Sequence, residues 1–258
     1  MPIINALRKL FPQVRPPESE PANAYDIWAE SYDNQPNNLM LALDRALCRE
    51  FLATLPLTGR TIVDIGCGTG RHWPALFHRS PARLIGYDVS TGMLNQLKKK
   101  YPHAETHLLS EATLPGAAST GVTLNGLADN NCDLVLSTLT IAHIPDLSAA
   151  LTEWNRVLRP GGDMLITDYH PAALAKGGQR TFREGKRLIA VRNHIYPIPQ
   201  LLSLTHRLGL TEVTRTEKKI DESMRPWYEQ QNALPLFRRF LGVPIIYGIH
   251  LKKPDAAE

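Results

Sequence analysis

Between residues 61 and 168 short apolar segments alternate with segments of helical period. Thr61–Ile65, Arg83–Asp88, Glu105–Leu109, Asp133–Ser137 and Asp163–Asp168 have the length and branched aliphatic content of buried strands. Between them, Met93, Leu94, Leu97 and Tyr101 make one apolar helix stripe, and Leu147, Leu151, Trp154 and Leu158 make another. Pro160-Gly161-Gly162 is expected to stop the second helix. Strands separated by helices join as right-handed βαβ units of a parallel sheet. The fold class is therefore α/β: a Rossmann-like, doubly wound sheet with helices on both faces. Ligands of such sheets bind at the carboxyl ends of the strands.

The first strand ends in Asp64 and runs into Gly66-Cys67-Gly68-Thr69-Gly70. Glycines here admit backbone angles that other residues avoid and let a ligand come close to the main chain. The usual dinucleotide pattern wants a third glycine at position 71 and finds Arg71. Asp88 ends the second strand, where a carboxylate can accept from both hydroxyls of a ribose. It could instead cap the next helix, but Ser90 is better placed for that and leaves Asp88 free. Glu111, just after the third strand, could accept from an adenine amino group.

On either side the pattern differs. Pro12, Pro16, Pro17 and Pro21 mark residues 1–22 as an extended, flexible leader. Tyr25 to Leu55 reads as helix divided near Pro36. Residues 23–258 then form one domain, with Pro199–Leu208 as a further helix and Thr211–Ile220 and Pro244–Leu251 as closing strands. Residues 169–196 and 221–243 fit no repeat of the alternation and are expected as insertions covering the site.

A length of 258 residues suits this single-domain reading. No run of 18 apolar residues exists, so no stable membrane insertion is expected. The start, Met1 to Phe11, is either a mobile terminus or a weak peripheral contact with a membrane surface. Three cysteines, Cys48, Cys67 and Cys132, fit neither a disulfide framework nor a zinc site, which implies a reducing, cytoplasmic setting and no metal. The net charge of +4, with only Lys98-Lys99-Lys100 as a basic cluster, gives no reason to expect a nucleic-acid partner. Nothing fixes the oligomeric state.

As a set, Asp64 to Gly70, Gly86-Tyr87-Asp88-Val89-Ser90 with Met93-Leu94, Cys132 to Leu136, and Arg156 to Gly162 resemble the motifs of class I S-adenosylmethionine-dependent methyltransferases. The resemblance covers residues 24 to 168. It implies a seven-stranded sheet whose last strand is antiparallel, with S-adenosylmethionine as cofactor and S-adenosylhomocysteine as product. It places Tyr25, Tyr32, Asp64, Gly66, Gly68, Gly70, Asp88, Val89, Met93, Glu111, Ala112, Ser137 and His143 around that cofactor. Gly66 and Gly68 would pass its methionine part, with Ser137 nearby. Asp88 would hold the ribose, and Glu111 and Ala112 would border the adenine. Tyr25 and Tyr32 would cover it from the leading helix, or serve helix packing alone.

Methyl transfer needs an acceptor held in line and water kept out; a base is needed only for hydroxyl or protonated amine acceptors. His143 and His170, beyond the fourth and fifth strands, are the candidate bases, with His194 further along. Tyr169, Tyr228, Arg183 and His194 are the candidate acceptor contacts: Arg180, Arg183 and Arg192 could partner an acidic substrate or be ordinary exposed arginines, and Tyr169, Trp227 and Tyr228 could wall the acceptor or pack in the core. The Asn/Asp-Pro-Pro-aromatic motif, the Pro-Cys pair and the paired glutamates that would suggest a nucleobase or protein-arginine acceptor are not in the sequence. A small molecule offering oxygen or nitrogen is the expected partner. Two other readings stand: a cofactor-binding sensor or scaffold without catalysis, and a nicotinamide-dependent oxidoreductase.

Overall fold

The computed structural model describes residues 16–109 and 124–256. The chain enters through β1 (Glu18–Ser19) and α1 (Pro21–Trp28), turns at Ala29–Ser31, and forms α2 (Leu39–Ala53). The alternation follows as β2 (Thr61–Ile65), α3 (Trp73–Phe77), β3 (Arg83–Asp88), α4 (Thr91–Lys100), β4 (Glu105–Leu108), β5 (Cys132–Thr138), α5 (Leu147–Val157) and β6 (Leu158–Tyr169). After it come α6 (Pro171–Ala175), β7 (Thr181–Glu184), β8 (Arg187–Val191), α7 (Ile198–Arg207) and β9 (Thr211–Lys219). The remainder is α8 (Arg225–Gln230), α9 (Leu234–Phe240) and β10 (Pro244–Lys252).

The main sheet runs β4-β3-β2-β5-β6-β10-β9. β2 to β6 pair in parallel, and β10 is antiparallel to both its neighbours. This is the Rossmann-like sheet with an antiparallel last strand that the sequence leads one to expect. Its strand order reverses between β2 and β5, and a crevice opens there beyond their carboxyl ends.

Adjacent residues of one strand serve opposite faces. Val63, Ile85, Val135 and Ile166 pack against Leu151, Trp154 and Leu201 of α5 and α7. Ile62, Leu134, Leu136 and Leu165 pack against Phe51, Trp73 and Leu97 of α2, α3 and α4. Burial on both faces is why these strands read as continuous apolar runs. Helix starts follow side-chain caps. Asn38 Oδ1 accepts from Leu41 N at 3.1 Å, Ser90 Oγ from Met93 N at 3.0 Å, and Asp146 Oδ1 from Ala149 N at 2.9 Å.

Two expectations need correction, and one gains detail. Residues 16–22 are not a free leader: Glu18 and Ser19 pair in parallel with Ala190 and Val191 of β8, and Pro21, pre-set for a first helical turn, starts α1. The rest of the leader, including the stretch read as a membrane contact, lies outside the described residues. The helix expected to run to Pro160 ends at Val157, and Leu158 already belongs to β6. The first insertion has structure of its own, since β7 and β8 form a hairpin that β1 extends to a three-stranded sheet. Among the described residues no helix is long and apolar enough to cross a membrane.

Candidate functional site

β2 delivers the glycine turn to the mouth of the crevice. Gly66 has φ +69°, and a Cβ there would lie 2.1 Å from Thr140 Oγ1, so only glycine lets the turn lie against the segment after β5. A Cβ on Gly68, φ +53°, would meet nothing within 4 Å, which leaves the backbone open on its cavity side.

Asp88, 6% exposed at the end of β3, sits beside this turn. It is less free than the sequence suggests. Its Oδ2 accepts from Gly68 N at 2.8 Å and its Oδ1 from Ser90 N at 2.9 Å. Burial pushes its carboxyl up to about 6, against the pull of those N–H groups. Each oxygen keeps a second lone pair for a ligand hydroxyl. Asp64 lies behind the turn rather than on the cavity wall. Its Oδ2 accepts from Trp73 Nε1 at 2.9 Å, its Oδ1 has no partner among the described residues, and burial pushes it up to about 7. Ser137 is likewise buried, and its hydroxyl has no partner among the described residues.

The roof comes from α1 and the turn that follows it. Tyr25 and Tyr32 line the cavity with Val89 and Met93. Tyr25 stacks on Trp28 and Trp28 on Phe182 of β7, at centroid distances of 6.0 and 4.7 Å. Two aspartates fasten this segment. Asp26 Oδ1 accepts from Ser90 Oγ at 2.6 Å and Gly92 N at 2.7 Å, and Asp33 takes Thr69 Oγ1 at 2.6 Å and Lys100 Nζ at 2.9 Å. A third, fully buried Asp44 of α2, accepts from Arg71, from His72 Nε2 at 2.8 Å and from Thr167. Burial would raise its carboxyl, but Arg71 and His72 beside it hold it well below the usual range.

Beyond the glycine turn the cavity, about 260 Å³, meets Thr138, Thr140, His143 and Arg180. His143 Nδ1 lies 2.8 Å from the Arg192 carbonyl, which can only accept, so Nδ1 carries the proton. Its Nε2 then accepts from the Tyr25 hydroxyl at 3.0 Å. Burial, with the Arg180 charge added, pushes this imidazole down to about 3, which makes it a neutral hydrogen-bond acceptor and a weak base.

The structure thus brings Tyr25, Tyr32, Gly66, Gly68, Asp88, Val89, Met93 and His143 to one cavity, with Asp64, Gly70 and Ser137 packed behind it. Glu111 and Ala112 lie outside the described residues. Four other candidates are not at the cavity. His170 caps α6, its Nδ1 accepting from Ala172 N at 3.1 Å, and turns Nε2 toward Glu217 at 3.3 Å. Arg183 is exposed on β7, where the hairpin's alternation turns Phe182 inward instead. His194 donates its backbone N–H to Ala142 and stacks on Tyr196, and Tyr228 packs on Phe237 in the second insertion. Tyr169 touches the site indirectly, its ring centroid 5.0 Å from the Arg180 guanidinium. Among the residues that the sequence left without a role here, Arg71 had registered only as a missing glycine, and Asp44 gave no signal beyond being an acid on a helix.

Residues 63–166 match a family described as a methyltransferase domain. An uncharacterized methyltransferase of Emericella nidulans is 28% identical over 248 residues, covering 80% of this chain and 82% of that protein. A demethylmenaquinone methyltransferase of Bacteroides fragilis is 32% identical over 146 residues, 56% of this chain and 58% of that one. Among solved structures, an S-adenosylmethionine-dependent methyltransferase from Mesorhizobium loti superposes with a TM-score of 0.58 at 18% identity, over 82% of this chain and 96% of the other, a likeness of fold alone.

Proposed function

We propose, from the premise that the chain belongs to the class I S-adenosylmethionine-dependent methyltransferase family, that it transfers the methyl group of that cofactor to a small-molecule oxygen or nitrogen acceptor by in-line displacement. The observation that carries this reading is the meeting of the open face of Gly68, the Asp88 carboxylate and the Tyr25–Tyr32 roof in one cavity. The cofactor supplies a methyl group already activated by a sulfonium. Asp88 would hold its ribose hydroxyls, Val89 and Met93 an apolar wall beside the base, and the turn at Gly66–Gly68 the amino-acid end.

What the protein adds is position and dryness. An acceptor atom must be held about 3 Å from the methyl carbon, in line with the bond that breaks. The Tyr25–Tyr32 roof would help to keep water from that line. His143, neutral and already accepting from Tyr25, orients and accepts rather than taking a proton outright.

Calorimetry of the full chain with S-adenosylmethionine, S-adenosylhomocysteine and NAD is the primary test. Methyl transfer to a panel of phenols, amines and carboxylic acids is the second. Binding of the two sulfur ligands with turnover of at least one acceptor is expected. Binding of NAD with no response to S-adenosylhomocysteine would refute the assignment, and cofactor binding with no acceptor turned over would favour a sensor.

A further inference from the structure

We infer that Arg180 is the anchor for a carboxylate of the methyl acceptor, so that the substrate is a carboxylic acid and the product its methyl ester; this rests on the methyl-transfer reading above. Arg180 is 7% exposed and stands at the acceptor end of the cavity. Its protein partners are all uncharged: the Tyr25 hydroxyl, the Leu139 carbonyl at 3.1 Å and His143 Nε2 at 3.2 Å. Two aromatic faces complete the surroundings, Tyr169 at 5.0 Å and Tyr25 at 5.9 Å from the guanidinium carbon. It forms no ion pair among the described residues. The neighbouring cation on the same wall, Arg71, is by contrast taken by Asp44. Asp168 is the acid that Arg180 feels at longer range, and its own oxygens accept from Ala142 N at 2.8 Å and Tyr169 N at 2.6 Å. An enclosed charge whose nearest acid is at longer range and engaged elsewhere is costly, and a site that keeps one is suited to a ligand that brings the opposite sign into direct contact.

The geometry narrows the ligand further. Among the described residues the three hydrogen bonds of Arg180 all run through Nη1. Among the described residues Nε and Nη2 take part in no hydrogen bond, and neither is among the sealed, unsatisfied atoms, so the Nε–Nη2 edge is unengaged and not fully covered. That edge presents two parallel N–H donors, the fork that matches the two oxygens of a carboxylate. Transfer to a carboxylate also balances without a proton. The carboxylate oxygen forms the new O–C bond, the S–C bond breaks, and its electron pair stays on sulfur to give a neutral thioether. No base is required, in keeping with a His143 whose Nε2 is already engaged.

One other carboxylate could occupy the fork, that of the cofactor's own amino-acid end, and the test separates the two. The wild-type protein is given mono- and dicarboxylic acids and their matched amides, phenols and amines with labelled S-adenosylmethionine. Arg180→Gln and Arg180→Lys are then compared with it for acceptor KM and for affinity toward S-adenosylhomocysteine and 5′-methylthioadenosine, which lacks the carboxylate. Acids should be esterified and their amides not. Arg180→Gln should raise the acid's KM by about 10- to 100-fold, the loss of a charge-assisted hydrogen-bond pair, with S-adenosylhomocysteine affinity held within about threefold and partial recovery in Arg180→Lys. The inference is overturned if neutral acceptors react as well as acids, or if no acid is methylated. It is also overturned if Arg180→Gln weakens S-adenosylhomocysteine but not 5′-methylthioadenosine, which would assign the fork to the cofactor. Should the variants not fold, the wild-type acid–amide comparison decides alone. A wild-type protein that binds neither sulfur nucleoside refutes the underlying reading instead.

Discussion

Asp44→Asn tests how the cavity wall is held. The substitution keeps the size of a side chain that is fully buried and removes the charge that Arg71 and His72 face. Breaking a buried ion pair by neutralising one partner costs about 3–5 kcal/mol, because the other charge stays enclosed. Arg71 has 13% of its side chain exposed, so some water reaches it and the lower end, about 3 kcal/mol, applies. Against a total stability of roughly 5–15 kcal/mol this is a large fraction. With a urea slope of about 3 kcal/mol/M, the unfolding midpoint should fall by about 1 M at pH 7. The acid limb gives a second reading. The native carboxyl of Asp44 is held below its unfolded value near 3.9, so its contribution is present above that pH and is lost as pH falls through the native value. The gap between wild type and variant should therefore be constant from about pH 7 to 5 and close below about pH 4. A midpoint shift of less than about 0.3 M, or a gap that persists unchanged in acid, would refute the argument.

Asp88→Asn should weaken S-adenosylhomocysteine by about 1–3 kcal/mol in calorimetry, and unchanged affinity would remove the ribose role. Hydroxyl donors favour the ionised form of Asp88, whose carboxyl sits at about 6, so wild-type binding should release a proton and tighten as pH rises from 5 to 7. That slope should vanish in Asp88→Asn. Gly66→Ala should destabilise the fold by about 2–4 kcal/mol, the sum of a left-handed alanine and a displaced Thr140. Adding Thr140→Gly should restore the steric part only, and full restoration or none in urea unfolding would contradict the geometry. His170→Ala should lower stability by about 1 kcal/mol through the lost cap on α6 and leave the pH–rate profile unaltered, whereas a changed profile would return it to the chemistry.

The parts that the sequence makes plain are those built from local signals. Strands such as Thr61–Ile65 and Cys132–Thr138 are buried on both faces, so apolar runs betray them, and Ser90 announces α4 through its own cap. Asp88 was legible because a strand end and a glycine turn bracket it. The acceptor side was not, since its geometry depends on contacts across long stretches of chain. Arg180 reaches Tyr25 from 155 positions away, and Asp44 reaches Thr167 across 123. His170 looked like a base because it follows a strand at the crevice, but Pro171 turns the chain into α6 and makes it a cap. Arg183 and Arg180 carry the same charge, and only the register of the hairpin tells which one faces inward.

The three-stranded sheet in which Glu18 and Ser19 join the β7–β8 hairpin has a further bearing. The segment matched to the family begins at residue 63, and the roof is supplied by two pieces outside it, residues 18–33 and 180–191. Those pieces are stitched to each other as well as to the sheet. On the acceptor assignment proposed above, a chimera that carries residues 63–166 into a relative would bring the glycine turn and Asp88 but neither the tyrosine roof nor Arg180. To exchange acceptors between relatives, the leading segment and the hairpin must be transplanted together, as one cassette, because either alone arrives without the strand partner that sets its register.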